Sequence, residues 1–193
     1  MAHSLRREET RPVPLTFDQW VAMSDAGQLK GYSAHTELLD GELHDLAPIS
    51  SDHWEGQGKV VEQLRRLVRL AGREHDLVAG GSGTLRLNDR RGVEPDGMVL
   101  RRAPGRFAAA ENCLLAVEYA VTSQHRDLEI KPGPYAEASV PEYWVVDRRS
   151  QLLHVFRRPE NGSYADRKAP LGPSQTIAPL FAPDLVIYVA DLL

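Results

Sequence analysis

The sequence contains one cysteine and no long apolar run. A single cysteine, Cys113, excludes an internal disulfide framework, and its place among apolar residues favours a small buried side chain over a nucleophile. That pattern suits a reducing cytoplasm, where we expect the protein to act. No stretch approaches the roughly 18 consecutive apolar residues of a membrane span, and residues 1–14 lack the apolar core of a signal peptide. We therefore expect no membrane partner.

An excess of positive charge is also absent. Lys and Arg number 23 against 27 Asp and Glu, which gives a formal net charge of −4. Binding to nucleic acid therefore requires a local basic patch, because the chain as a whole offers no general attraction. The 193 residues fit one domain whose hydrophobic core is large enough to be stable without disulfides or a structural metal. We expect a flexible N-terminus over residues 1–15 and a single domain over residues 16–193.

Two local signals predict structure near the N-terminus. Thr16 to Gln19 has the form of a capping box, and Ala26-Gly27 supplies a stop, which together indicate a short helix. Further on, Asp40-Gly41 separates Glu37–Leu39 from Glu42–His44. This dipeptide accepts the positive φ of a tight two-residue turn, so we expect a β-hairpin.

The strongest helical pattern follows the hairpin. Apolar residues at helical spacing predict a helix from about His53 to Glu74, namely Val60, Val61, Leu64, Leu67, Val68 and Ala71. Its other face carries Arg65, Arg66 and Arg69, which we interpret as a solvated face rather than a nucleic-acid surface. The next stretch, Gly80 to Gly83, lies between two short predicted strands. A phosphate-binding loop leads into a helix, so we interpret these glycines as a turn.

The C-terminal half is rich in strand signals. Glu142–Asp147 and Leu152–Phe156 read as neighbouring strands of one sheet, Asn161-Gly162 as a turn and Leu185–Val189 as a last strand. Helices and strands in mixed order, with short connections, predict an α+β fold. We expect a mixed sheet with the long helix packed on one face.

One carboxylate lies inside an apolar run. From Cys113 to Val121 every residue is apolar or aromatic except Glu118, which indicates a strand covered on both faces. Burying an ionised carboxylate alone costs several kcal/mol, so Glu118 should be paired, protonated or bound to a metal. Asp96 lies on the preceding predicted strand, and such strands are usually close in a sheet. The two carboxylates could then share a divalent cation such as Mg²⁺.

Lys131 is the candidate for a third role at this site. Because it precedes Pro132, its backbone should avoid the α region, just before a short helix through Tyr135 to Ala138. The start of that helix would favour a phosphate oxygen. A lysine there could position or deprotonate a metal-bound water.

Each of these residues also has an ordinary structural explanation. Asp96 follows a proline, as turn aspartates often do, and an ion pair with an arginine would satisfy Glu118 as well as a metal would. Lys131 fits a solvated position before a helix. For Asp127 we favour an N-cap or loop role over metal binding. For His53 we favour a polar role at the helix start over catalysis.

Several of these motifs together resemble one family. Pro95-Asp96, Val117-Glu118, Asp127, Lys131-Pro132 and the run Val140 to Asp147 are similar to the Uma-two family of restriction-endonuclease-like proteins. The resemblance extends from about Thr16 to Phe156. It implies the PD-(D/E)XK nuclease superfamily, with a restriction-endonuclease-like mixed β-sheet core flanked by helices, an N-terminal helix and a hairpin.

The resemblance also implies roles for individual residues. Asp96 and Glu118 match the metal ligands. The superfamily lysine would stand two residues after Glu118, where this chain has Ala120, so Lys131 is the substitute, completing a catalytic set of Asp96, Glu118 and Lys131. Glu42 is a secondary candidate from the N-terminal half, with Glu37 and Glu55 as competitors. Members commonly have a small residue pair and then Ser-Pro after the glutamate, whereas this chain has Tyr119 to Ser123. The segment from Glu118 to Lys131 is also about one residue shorter than in those members.

The implied function is an endonuclease that hydrolyses DNA with Mg²⁺, or with Mn²⁺ as a substitute. Cutting both strands would require two sites, so we expect a homodimer. A catalytically inactive nuclease-fold module for binding or regulation is the alternative, favoured by the missing Ser-Pro and the acidic net charge. A sugar hydrolase with paired carboxylates fits less well, because it requires one acid of raised pKa and no metal.

Overall fold

The computed structural model describes residues 13–33 and 35–193. Within these residues the α-helices are α1, Phe17–Asp25, α2, Ser51–Leu70, and α3, Pro132–Glu137. Most of the N-terminus that we expected to be flexible, residues 1–12, lies outside the described residues. Beyond it, the amide of Leu15 donates to the carbonyl of Gly41 at 2.9 Å, which holds the start of α1 against the predicted hairpin. None of the described helices is long and apolar enough to cross a membrane.

Thirteen strands are found in the described residues. They are β1 Thr36–Leu39, β2 Glu42–Asp45, β3 Leu77–Gly80, β4 Leu85–Asn88, β5 Arg91–Val93, β6 Gly97–Arg101, β7 Ala108–Ala109, β8 Cys113–Ala120, β9 Glu142–Asp147, β10 Leu152–Glu160, β11 Ser163–Arg167, β12 Thr176–Ile177 and β13 Ile187–Tyr188. The predicted last strand is therefore shorter than expected, because the chain enters a 3₁₀ turn at Val189.

The main sheet has six strands in the order β11-β10-β9-β8-β6-β3. All its pairs are antiparallel except β8 with β9, so the sheet is mixed, as predicted. Every residue of β8 and β9 is buried, which confirms that the apolar run around Glu118 is a strand covered on both faces. Tyr143, Trp144 and Phe156 are core residues, and Cys113 is buried as expected.

A second sheet of five strands carries the N-terminal hairpin, in the order β2-β1-β5-β4-β7. The hairpin turn has positive φ at Asp40 and Gly41, 52° and 83°, which are the angles that this dipeptide tolerates. The turn at Gly80 to Gly83 leads from β3 in the main sheet to β4 in this one.

Helix α2 covers one face of the main sheet at close range. It begins two residues before the predicted start, with Ser50 as the N-cap, whose Oγ accepts from the amide of His53 at 3.2 Å. A Cβ on Gly56 would overlap the ring of Tyr119, which lies on β8. The bare glycine therefore sets how closely the start of α2 approaches the strand that carries Glu118. The capping box of α1 is also confirmed, since both of its hydrogen bonds are present.

Candidate active site

A cavity of about 390 Å³ opens where the two sheets meet the start of α2. Its lining is dominated by charged side chains: Glu37, Glu94, Asp96, Glu118, Asp127, Arg126 and Lys131, with His35 and His53. We call this cavity the acidic pocket, because five carboxylates face two side chains that carry permanent positive charge. Asp96, Glu118 and Lys131, the residues predicted from the sequence, all contribute to it.

Asp96 is positioned by the strand that follows it. The register of β6 against β8 pairs Gly97 with Val117, so Asp96 comes opposite Glu118, and both line the same pocket. The Oδ2 of Asp96 accepts from the amide of Tyr119 at 2.7 Å, and its Oδ1 lies 2.7 Å from Nε2 of His53. Both oxygens are thereby fixed in direction. The same hydrogen bond raises the pKa of His53.

Glu118 lies at the centre of the main sheet and is 3% exposed. Its Oε1 accepts from Nζ of Lys131 at 2.8 Å and from the hydroxyl of Tyr135 at 2.9 Å. Burial raises the pKa of Glu118 well above its ordinary value, although the charge of Lys131 opposes that effect. The partner that its apolar surroundings require is therefore a lysine and a tyrosine on the segment after β8.

That segment differs from the expected extended backbone before Pro132. One turn of π-helix, Arg126–Ile130, leads directly into α3, and Lys131 has helical angles, φ −69° and ψ −30°. The expectation of a non-helical residue was wrong. The amide of Lys131 bonds to the carbonyl of Arg126 five residues back, and this wider turn relieves the clash that a proline ring makes in a regular helix.

The continuous helical backbone also removes the basis for expecting a phosphate oxygen at the start of α3. Because helical backbone precedes α3, the first turn of that helix is not an open end, and Pro132 has no amide to offer. What this segment does supply is a buried ammonium group. Lys131 Nζ lies 3.1 Å from Oε1 of Glu37 and 3.7 Å from Oδ1 of Asp127, in addition to its bond with Glu118. Burial alone would lower the pKa of Lys131, but the three carboxylates hold it above its usual value.

Glu37, not Glu42, is the acidic residue that the N-terminal hairpin brings to the pocket. Glu37 is fully buried on β1 and accepts from the amide of Glu94 at 2.9 Å, from Lys131 and from Nη2 of Arg126. Burial would raise the pKa of Glu37, but Lys131 and Arg126 hold it below its ordinary value. Glu42 is exposed on the edge strand β2 and does not line the pocket.

Three further pocket residues were not predicted as parts of a site. Asp127 is buried in the π-helical turn, accepts from the hydroxyl of Ser123, and has its pKa raised by burial. His53 and Arg126 contact Asp96 and Glu37 over long sequence separations. For Asp127 the available signal was its spacing of four residues before Lys131, which places both on one side of a helical turn. Glu55, the other competitor of Glu42, is exposed on α2.

The donor groups of the pocket fit a hard divalent cation. Among the described residues, no three His, Cys, Asp or Glu side chains converge closely enough to hold an ion by themselves. Mg²⁺ does not need such a cage, since one or two carboxylates with waters and a substrate phosphate are its usual ligands. Asp96 and Glu118 supply two carboxyl groups, and the pocket holds more acidic than basic side chains, which favours a cation there.

Comparisons with known proteins identify the relatives of the chain. The family model for Uma2, described as putative restriction endonuclease, matches residues 23–190. In structure the chain is similar to a protein from Anabaena variabilis ATCC 29413, described as a putative nuclease belonging to DUF820. The TM-score is 0.70 at 16% sequence identity, over 93% of this chain and 97% of that chain. The search of curated proteins gave no match.

The likeness to this solved structure confirms the predicted fold, an α+β domain of the restriction-endonuclease-like type with a mixed sheet core and flanking helices. The family model also covers the hairpin, the residues of the acidic pocket and the run Val140 to Asp147, which is one of the motifs that carried the resemblance. Since the match spans most of the chain, this protein belongs to the Uma2 family.

Proposed function

We propose that the protein is a metal-dependent endonuclease that hydrolyses phosphodiester bonds of DNA. The observation that carries this proposal is the meeting of Asp96, Glu118 and Lys131 in one pocket, with Nζ of Lys131 on Oε1 of Glu118. These are the residue types of the superfamily pattern, although the lysine comes from a helical turn instead of the strand. The descriptions of the family and of the structural relative support the same activity.

Asp96 and Glu118 are the residues that would hold Mg²⁺ or Mn²⁺. A bound ion of this kind polarises a phosphoryl oxygen and lowers the pKa of water, which supplies a nucleophile at neutral pH. Hydrogen bonds within the protein orient both carboxylates before any ion binds. Tyr119 and His53 fix the carboxylate of Asp96, and Tyr135 and Lys131 fix that of Glu118. Such preorganisation removes the cost of reorienting the groups during the reaction.

Lys131 acts as a permanent positive charge in this account. Because three carboxylates hold its pKa high, the amine stays protonated and is not a general base. Its ammonium group orients Glu118 and offsets the negative charge that develops on the scissile phosphate. Arg126 is the more accessible cation of the pocket, with 24% of its side chain exposed. It is suited to contact a phosphate oxygen of the bound strand.

The direct test is cleavage by the purified protein with Mg²⁺ or Mn²⁺, on single-stranded, duplex and branched DNA. We expect cleavage of at least one substrate, loss of cleavage in Asp96→Ala, and normal cleavage in Glu42→Gln, whose side chain lies outside the pocket. Absence of cleavage on every substrate, or equal cleavage by Asp96→Ala, would contradict the proposal.

A second candidate is a nuclease-fold module that binds or regulates without chemistry. It is favoured by the departure at Tyr119 to Ser123 and by the engagement of Lys131 with three carboxylates, which leaves its ammonium little freedom to contact a substrate. This candidate predicts DNA binding without cleavage, and binding that does not change when Glu118 is replaced by Gln.

Two further expectations belong to the proposal. Cutting both strands of a duplex requires two sites, so we propose a homodimer, which sedimentation would test. We also propose a cytoplasmic location, with which the buried free thiol of Cys113 is compatible.

A further inference from the structure

A second, more open groove of about 810 Å³ runs beside the acidic pocket, along the outer face of α2. We call it the α2 groove. Ser82 lines both cavities, and its Oγ accepts from Nε2 of Gln57 at 2.5 Å, which ties the glycine turn to the helix at the shared wall. The α2 groove and the acidic pocket therefore adjoin at Ser82.

Trp54 is the most conspicuous residue of this groove. It is 69% exposed, whereas the other two tryptophans, Trp20 and Trp144, are buried. Its neighbour in the chain, His53, is the residue that bonds to Asp96 in the pocket. The indole thus lies largely on the surface, on the residue that follows a side chain of the candidate active site, and it offers a flat apolar face.

Positively charged side chains follow Trp54 along the same face of α2, and they include two of the three arginines that the sequence alone led us to interpret as a solvated face. Positions 54, 58, 61, 65 and 69 are three or four residues apart, so Arg65 and Arg69 lie on one stripe with the indole. Gly58 leaves this stripe open, since a Cβ there would meet nothing within 4 Å. From Trp54 to Arg69 the stripe is about 22 Å long, which is room for several nucleotides of an extended strand.

The charge of the α2 groove is opposite to that of the pocket. Three cationic side chains line it, Lys59, Arg65 and Arg69, against two carboxylates, Glu55 and Glu62. The excess of one positive charge stands beside a pocket with five carboxylates and in a chain of net charge −4. A polyanion is therefore drawn to this groove more than to the rest of the site.

We propose that the α2 groove binds an unpaired nucleic-acid strand, with one base stacked on Trp54 and the phosphates beside Arg65 and Arg69. Stacking platforms combined with basic grooves are the general means of holding single strands. A duplex does not fit this arrangement, because its bases already stack on one another and offer no free face. As a substrate preference this inference rests on the proposed function: the DNA that is cut should have a single-stranded segment next to the scissile bond.

The test measures equilibrium binding of a labelled single-stranded oligonucleotide and of the matching duplex, in EDTA so that no cleavage occurs. Trp54→Ala should weaken binding of the single strand about 5- to 150-fold, the contribution of one base on an aromatic ring, and should leave duplex binding nearly unchanged. Trp54→Phe should recover most of the loss. Tyr188→Ala is the matched control, since Tyr188 is 57% exposed on β13 and outside the groove.

A second pair of variants tests the phosphate contacts. Arg69→Gln should weaken single-strand binding and reduce its salt dependence by about one counterion. Arg66→Gln should do neither, because Arg66 is exposed on the same helix but does not line the groove. Equal single-strand binding by Trp54→Ala and the unchanged protein, or an equal loss of single-strand and duplex binding, would overturn the proposal. A dimer that dissociates on Trp54→Ala with no change in DNA binding would also overturn it.

These outcomes separate the inference from the proposed function. Cleavage that depends on Asp96, together with unchanged binding by Trp54→Ala, would support the proposed nuclease activity and contradict single-strand binding in the α2 groove. Binding that depends on Trp54 in a protein that cuts no DNA would support single-strand binding in the α2 groove and favour the second candidate function, a module that binds without cleavage. Melting curves of each variant identify any loss that comes from unfolding.

Discussion

The side-chain nitrogen of Lys131 donates a hydrogen bond of 2.8 Å to Oε1 of Glu118, across the boundary between a helical turn and the centre of the main sheet. Both side chains are almost fully buried, at 5% and 4% exposure. The strand itself offers no cation at this point, because Ala120 occupies the position two residues after the glutamate. The pair therefore unites two elements into one site, and each partner stabilises the charge of the other.

Replacement of Lys131 by Met should remove cleavage and destabilise the fold. It leaves Glu118 and Glu37 buried without their shared cation, and the loss of one member of a buried ion pair costs about 3–5 kcal/mol of unfolding free energy. Urea denaturation measures the stability. Lys168→Met, at an exposed position, is the control. The double variant Lys131→Met/Glu118→Gln should regain stability but not activity. Equal stability of Lys131→Met and Lys168→Met would argue against the ion pair.

Glu37 and Glu42 provide a matched comparison on one hairpin. Glu37→Gln removes the charge that Lys131 and Arg126 both contact, so we expect a loss of about 1–3 kcal/mol in stability and a large fall in cleavage. Glu42→Gln should change neither, because that side chain is exposed on β2. Thermal melting and cleavage assays of the two variants decide between them. The assignment would be wrong if Glu42→Gln had the larger effect.

Two glycines of α2 should respond in opposite directions to the same substitution. Gly56→Ala introduces a Cβ into the ring of Tyr119, and overpacking of this kind costs about 1–3 kcal/mol. Gly58→Ala meets no neighbour, and the better helix propensity of alanine should stabilise the protein by about 0.5–1 kcal/mol. Chemical denaturation of both variants is sufficient. Equal effects would show that α2 does not approach β8 as closely as described.

His154 on β10 should make stability depend on pH. Burial lowers its pKa, and its Nε2 is buried without a hydrogen-bond partner in the described part of the chain. The unfolded chain therefore binds more protons at this site, so the contribution of His154 to stability is complete above about pH 6.5 and falls as the pH drops through its lowered pKa.

His154→Leu removes this titration. The stability of the variant relative to the unchanged protein should therefore be greater at about pH 5.5 than at about pH 8. Denaturation curves at the two pH values measure it. A relative stability that is the same at both would contradict the assignment.

Much of the fold follows from signals that are local in the sequence. The capping box at Thr16, the hairpin turn at Asp40-Gly41 and the periodicity of α2 each predict an element that the structure contains. The pairing of the hairpin with β5, β4 and β7 into a second sheet gave no such signal. Its strands have two to four residues, and β1 meets β5 through a single residue pair, Leu38 with Gly92. Its formation depends on tertiary packing that no short window of sequence contains.

The residues of the candidate site also divide into those that the local sequence identifies and those that it does not. Glu118 was identifiable because one carboxylate interrupts an apolar strand, and Asp96 because it was placed on the preceding predicted strand, although β6 begins one residue later, at Gly97. From the sequence, Glu42 was preferred to Glu37, although both stand next to leucines on the hairpin. The two differ in that β1 lies inside the second sheet and β2 at its edge, which the hairpin sequence does not reveal. His53 bonds to a residue 43 positions away, and such contacts have no sequence signature. Lys131 is helical against the local preference set by Pro132, because it lies between the π-helical turn and α3 in one continuous helical segment.

The central claim is that Asp96 and Glu118 form a divalent-cation site, and titration calorimetry with Mn²⁺ tests it most directly. The unchanged protein and the control Glu42→Gln should both give a binding heat, and Glu118→Gln should give none or a much weaker one. Melting temperatures of the same samples, with and without Mn²⁺, should follow the binding. A protein without any binding heat, or a Glu118→Gln variant that binds Mn²⁺ as well as the unchanged protein, would contradict the account.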